Sequence, residues 1–220
     1  MSLMPPTLRR RKLPYDPQAA RQHLLRADPV LREIVERVGP YRLESRGSPY
    51  QSLLRALLYQ QLAGPAASAI ERRFLAIFGD RIPEPKELLA TSPEQLRAAG
   101  ISRQKAGYLH SLAERAAAGG LDDGRLRRAS DDEAIEHVTQ IRGVGRWTAD
   151  MLLMFCLCRP DVLPVGDLGV QRAMKEAYQL DSLPDPPAML AIAESWRPYR
   201  SAGAWYLWRS VEVLTADITL

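Results

Sequence analysis

The sequence predicts an all-α fold, and three observations carry that expectation. Of its 220 residues, 31 are Leu and 28 are Ala, both strong helix formers. Runs that alternate apolar with polar residues, as half-buried strands require, are few. Helix-start signals, in contrast, recur along the whole chain. Asp16-Pro17 opens a segment running toward Val38. Ser48-Pro49 opens another, with Leu53, Leu54, Leu57, Leu58 and Leu62 on one apolar face. Ser92-Pro93-Glu94-Gln95 and Ser130-Asp131-Asp132-Glu133 both have the spacing of a capping box, the first with Pro at the opening helical position. Glycines at 79, 100, 119, 120 and 124 punctuate helix ends, while Pro83 and Pro85 mark one longer loop and Pro184, Pro186 and Pro187 another. About ten helices joined by short loops are expected. No repeat of solenoid period is visible, and composition marks no domain boundary.

Length and composition narrow the function classes. A chain of 220 residues buries a sizeable core in one or two domains, which excludes a small disulfide-stapled scaffold. Its longest nearly uncharged apolar stretch, Met151 to Cys158, has eight residues, where a membrane span needs about 20. The first residues lack the apolar core of a secretory signal, and Met1-Ser2-Leu3 ahead of Met4 has the form of an expression scar, so an intracellular protein is expected. Cys156 and Cys158 are too few for a structural zinc site or a four-thiolate cluster and read as buried, reduced thiols.

Charge is unevenly placed. Lys and Arg number 30 against 26 Asp and Glu, and 26 of the basic residues are Arg. Residues 1 to 44 hold nine basic and five acidic groups, which is the entire excess of four, so the rest of the chain is neutral. The Arg9 to Lys12 run suits either a polyanion-binding tail or a solvated arm. A uniformly basic coat is excluded. Any polyanion would be held by local features, with a modest salt dependence.

The most informative stretch runs from Asp131 to Cys158: a capped helix to about Gln140, then Ile141-Arg142-Gly143-Val144-Gly145, then a second apolar helix from Arg146. Two glycines around one aliphatic residue permit a tight turn with dihedrals that side chains disfavour. Val144 would plug the gap between the helices. The turn leaves N–H groups at the start of the second helix pointing outward, suited to a phosphate oxygen. Taken alone, such a turn equally serves an ordinary helical hairpin.

The flanking residues decide between them. The hairpin Ile141-Arg142-Gly143-Val144-Gly145-Arg146-Trp147-Thr148-Ala149, followed by Leu163-Pro164-Val165-Gly166-Asp167-Leu168-Gly169-Val170-Gln171-Arg172, resembles the signature of the helix-hairpin-helix DNA glycosylases, at the family spacing. Leu57-Leu58-Tyr59-Gln60-Gln61-Leu62 and Ser92 to Lys105 resemble further shared segments, and Trp196-Arg197-Pro198-Tyr199-Arg200-Ser201 to Trp208 resembles the AlkA-like, 3-methyladenine glycosylase II branch. The likeness covers residues 16 to 217. Two departures stand out: Arg142 replaces the usual hairpin Pro, and the chain has no room for the N-terminal β domain of some AlkA proteins.

The resemblance implies a two-lobed helical fold with an active cleft between lobes. Residues 42–159 would form a lobe ending in the hairpin, residues 16–41 and 160–220 the second, and residues 1–15 a flexible basic tail. It implies a monofunctional glycosylase that flips alkylated purines such as 3-methyladenine out of double-stranded DNA and hydrolyses the N-glycosidic bond, initiating base excision repair. Asp167 would be the catalytic carboxylate, stabilising positive charge on the sugar or activating water. Bifunctional members carry a Schiff-base Lys where this chain has Trp147, and a Trp cannot be that nucleophile. The missing cluster cysteines separate it from the endonuclease III and MutY branches. Trp147, Trp208 and Tyr206 would line a base pocket in which indole faces attract cationic rings. Gln61, with Leu62 next, would fill the gap left by the flipped base. Gly143, Val144, Gly145 and Arg146 would grip a phosphate. No cofactor is required, although a monovalent or divalent cation on the carbonyls of Thr139, Ile141 and Gly143 is a family feature. The expected partner is double-stranded DNA with alkylated bases, met by a monomer in the cytoplasm, at the nucleoid of a bacterium, with no membrane. Two alternatives are a non-catalytic hairpin protein that only binds DNA and a glycosylase for another lesion.

Overall fold

The structure, a computed structural model, describes residues 12–45, 47–62 and 64–217. Among these there are thirteen α-helices, one 3-10 turn and no strand. In chain order they are α1 (Pro17–Ala27), α2 (Pro29–Val38), α3 (Pro49–Tyr59), α4 (Gly64–Ala76), α5 (Pro85–Ala90), α6 (Pro93–Ala98), α7 (Arg103–Ala117), α8 (Asp123–Arg128) and α9 (Asp131–Thr139). After these come α10 (Arg146–Phe155), α11 (Leu168–Ala177), α12 (Pro186–Ile192), the 3-10 turn Ala193–Trp196 and α13 (Arg200–Asp217). No helix among the described residues is long and apolar enough to cross a membrane.

The capping signals act as read. Ser48, Ser92 and Ser130 each accept from the backbone N–H three residues on, and the Gln or Glu there closes the capping box. Three details differ from expectation. The segment from Pro17 toward Val38 is two helices, because the Asp28 carboxylate caps a new start at Val30 and Leu31 and Pro29 follows it. Gly124 lies within α8 instead of ending a helix. The count exceeds ten because α5, α6 and α8 have only six residues each, too few for a periodic apolar face.

The described residues form two compact units, one within Arg46–Leu152 and the other within Arg11–Ser45 and Leu153–Leu220. This division differs from the boundaries at 42 and 159. Ser45 donates to the Cys156 carbonyl and Tyr41 stacks near Tyr206, so the chain up to Ser45 belongs with the second unit. Leu153, Met154, Cys156, Leu157 and Cys158 are buried there as well. The end of the expected tail is also anchored: Tyr15 bonds the Tyr41 hydroxyl and packs against Tyr199. Arg9, Arg10 and Arg11 lie outside the described residues.

In the first unit α3, α5 and α6 pack on α7, and α4 packs on α3, around Leu54, Leu57, Phe74, Leu88 and Leu109. In the second unit α13 packs on α2 and α11. Asp28 anchors it: besides capping α2, its carboxylate accepts from Trp196 Nε1 at 2.8 Å and the Tyr178 hydroxyl at 2.6 Å. Paired buried polar groups of this kind specify one arrangement of neighbours, since each loses its partner on any slip. The start of α13 is fixed by Asp161, which binds Arg200 and Arg197, and by Ser201, which accepts from the Val162 N–H.

Candidate functional site

The hairpin occupies the first unit. α9 ends at Thr139, and the chain reverses through residues 140–145 into α10. Gly143 has φ +89°, and a Cβ there would stand 2.4 Å from Tyr108 Cγ, so this position needs Gly on both conformational and steric grounds. Val144 is 4% exposed and its N–H bonds the Ile141 carbonyl. It fills the space between the helices. Arg142, where the resemblance expects Pro, stiffens the turn differently: its N–H donates to Ser111 Oγ and its guanidinium lies 5.8 Å from the Tyr108 ring centre.

At the start of α10 a Cβ on Gly145 would meet nothing within 4 Å. The Ala149 N–H bonds the Gly145 carbonyl as the first regular turn closes, and the N–H groups of a helix's first turn lie ahead of its regular i−4 ladder. Gly145 has no side chain with which to cap them. Arg146 is exposed on the same turn and pairs with Asp150 at 3.0 Å. Burial raises the Asp150 carboxyl above its ordinary range, against the pull of Arg146. Trp147 is 39% exposed, one of four exposed large apolar side chains among the described residues.

Gln61 and Leu62 follow the C-terminus of α3. Gln61 is exposed and in the left-handed region at φ +57°, and Leu62 is half-buried. Two residues that the sequence motifs contain without a role of their own hold this turn. Gln60 Nε2 donates to the Gly143 carbonyl at 2.9 Å and to Thr148 Oγ1 at 3.1 Å. Lys105 Nζ donates to the carbonyls of Leu58 at 2.8 Å and Gln60 at 3.0 Å. Lys105 was visible only as part of a shared segment; its partner lies 45 residues away, beyond any local signal.

The carboxylate belongs to the second unit. Asp167 is 9% exposed and caps α11, accepting from the Val170 N–H at 2.8 Å. The same oxygen, Oδ1, accepts from Trp208 Nε1 at 2.8 Å. Two donors from different elements on one oxygen fix the carboxylate plane, and hydrogen bonds to a charged acceptor are the stronger kind. The side chain that caps α11 is thus the same carboxylate that Trp208 holds. Trp208 stacks on Phe155, with ring centres 5.7 Å apart, and lies close over Gly169, where a Cβ would be 3.2 Å from Trp208 Cδ1 and 3.0 Å from Asp167 Oδ1. Neither Phe155 nor Gly169 was expected at the site.

Tyr206 needs correction. It does not stand beside Trp208 in a pocket: it is 0% exposed, donates to the Gly39 carbonyl at 2.9 Å and packs against Tyr41 and Trp205. Residues two apart on a helix point in nearly opposite directions, so Trp208 at the carboxylate sends Tyr206 into the core. Burial pushes the Tyr206 hydroxyl up to about 12.

The family model of the HhH-GPD superfamily of base excision DNA repair proteins matches residues 54–198. DNA-3-methyladenine glycosylase 1 of Schizosaccharomyces pombe is 38% identical over 202 residues, covering 90% of this chain and 88% of that protein. The structure of S. pombe 3-methyladenine DNA glycosylase (Mag1) with abasic DNA superposes with a TM-score of 0.81 at 37% identity, over 88% of this chain and 97% of that one. A DNA-3-methyladenine glycosidase of Bacillus halodurans gives a TM-score of 0.79 at 34% identity, over 94% of both chains. The chain belongs to the HhH-GPD superfamily.

Proposed function

We propose that this protein is a monofunctional DNA glycosylase that removes alkylated purines, 3-methyladenine among them, from duplex DNA and leaves an uncut abasic site. The observation that carries this reading is the Asp167 carboxylate, held at Oδ1 by the Val170 N–H and Trp208 Nε1. As the glycosidic bond breaks, positive charge develops on the sugar, and a carboxylate already fixed in place stabilises it without reorganising. Relatives named as 3-methyladenine glycosylases support the substrate class.

The remaining residues divide the work by chemistry. The open start of α10, at Gly145 and Arg146, receives a phosphate. The flipped base leaves a gap that the exposed Gln61 fills, with Leu62 behind it. The surface indole of Trp147 favours cationic rings, and alkylated purines carry that charge. Trp147 also stands where a Schiff-base Lys would be needed for strand cleavage. A cation at this turn would use the carbonyls of Thr139, Ile141 and Gly143, of which Ile141 also accepts from Val144 and Gly143 from Gln60 through one of two lone pairs. Such an ion would add positive charge against the phosphate. We further place the protein on DNA as a monomer in the cytoplasm.

Base release from methylated duplex DNA tests the reading, with strands analysed on gels before and after heat and alkali. We expect released 3-methyladenine and strand breaks only after treatment. Absence of release overturns the enzyme; breaks without treatment overturn the monofunctional assignment.

A further inference from the structure

We infer that Lys105 and Gln60 are positioning residues that lock the gap-filling turn to the phosphate-gripping hairpin, so that phosphate binding and side-chain insertion occur in one register. The inference rests on the proposed function in assigning Gln61 as the inserted side chain and the hairpin as the phosphate grip.

The turn after α3 has two structural problems. A helix leaves its last carbonyls without intrahelical partners. Gln61, at φ +57°, also sits where side chains other than Gly are strained. Such strain persists only when surrounding contacts over-determine it. Here four hydrogen bonds do so, all within the first unit. Lys105, from the first turn of α7, places its ammonium on the carbonyls of Leu58 and Gln60, at the negative end of α3. Gln60 turns its amide to the hairpin, onto the Gly143 carbonyl and Thr148 Oγ1. Gly143 is the residue whose positive φ makes the hairpin turn, and Thr148 lies in the first turn of α10.

Two features argue for a purpose beyond capping. A cap for α3 needs no bond to a hairpin 83 residues away, yet Gln60 makes one. The Lys105 ammonium is drawn from water to reach its carbonyls, and this desolvation lowers its pKa. A solvated side chain on α3 itself would satisfy the same carbonyls with less desolvation. The arrangement instead gives a rigid base with an exposed tip at Gln61. A rigid tip loses less conformational freedom on entering the stack than a mobile loop.

The test uses the full-length protein with Lys105→Met, Lys105→Arg and Gln60→Ala. A duplex carrying a tetrahydrofuran abasic analogue opposite 2-aminopurine reports insertion by fluorescence, and its dissociation constant reports phosphate binding. Release of 3-methyladenine from dimethyl sulfate-treated duplex and from treated single strands separates flipping from chemistry. For Lys105→Met and Gln60→Ala we expect a reduced insertion signal at saturating protein and a loss on duplex about tenfold larger than on single strands, where no stack opposes the lesion. The double variant should be little worse than either single one, because both substitutions release the same turn. Lys105→Arg should recover part of the signal. Equal losses on duplex and single strands, or an unchanged insertion signal, overturn the proposal. If Lys105→Met does not melt cooperatively, Gln60→Ala decides, since it leaves the Lys105 cap on Leu58 in place. A wild type that gives the insertion signal but releases no base overturns the glycosylase reading and leaves this one standing.

Discussion

Two helix starts in this molecule are built in opposite ways. α11 begins at Asp167, whose own carboxylate caps the Val170 N–H. α10 begins after Gly145, which has no side chain and open space around its Cβ position. Every helix start presents unpaired N–H groups and a partial positive charge. One is filled from within by its own carboxylate, which we propose acts on the substrate. The other has no capping side chain at Gly145, which suits the phosphate we propose it receives. A helix N-terminus carries no function by itself; what occupies it decides what it can do.

Outside the carboxylate, the sharpest contrast is between the two hairpin glycines. Gly143→Ala should destabilise the fold by about 2–4 kcal/mol in urea unfolding, since it combines positive-φ strain with overpacking against Tyr108. Gly145→Ala should change stability by less than about 0.5 kcal/mol, having no steric conflict, yet weaken duplex binding by placing a methyl group where the phosphate approaches. The reverse pattern would break the comparison. Trp208→Phe keeps an aromatic ring against Phe155 but removes the donor to Asp167, and the single-turnover rate should fall about 10- to 100-fold, as loss of a charge-assisted bond predicts. An unchanged rate would reduce Trp208 to packing.

Smaller effects refine the hairpin side. Trp147→Ala should cost about 1–2 kcal/mol of stability in urea unfolding, because at 39% exposure most of the indole is covered. It should also lower the preference for 3-methyladenine over neutral hypoxanthine by about 0.5–2 kcal/mol, measured as a ratio of release rates. Equal preference in both proteins would place base selection elsewhere. Least of all, the salt dependence of duplex binding should be shallow, because the positive charge excess lies in residues 1 to 44 and not in the rest of the chain. A steep slope would show that many arginines, beyond the hairpin, meet phosphates.

What the sequence made legible follows the range of the interaction involved. The capping boxes at Ser48, Ser92 and Ser130, the Gly143 turn and the Val144 plug are set by residues a few positions apart. Asp167 was legible through a motif, and its capping geometry is local too. Trp208 against Asp167 and Gln60 against Gly143 span 41 and 83 residues, and no periodicity encodes such meetings. Tyr206 shows the other failure: an aromatic two residues from the Trp that bonds Asp167 faces the core, because helical geometry separates i and i+2. Arg142 shows a third: in place of the ring of a Pro, its contacts with Tyr108 and Ser111, distant in sequence, hold the turn.

The central claim is that the capping carboxylate at Asp167 is the catalyst. Asp167→Asn tests it most directly, because the amide oxygen still accepts from Val170 and Trp208 while the negative charge is gone. Release of 3-methyladenine from methylated duplex DNA should fall to background while duplex affinity and melting are retained. Release at the wild-type rate would contradict the account.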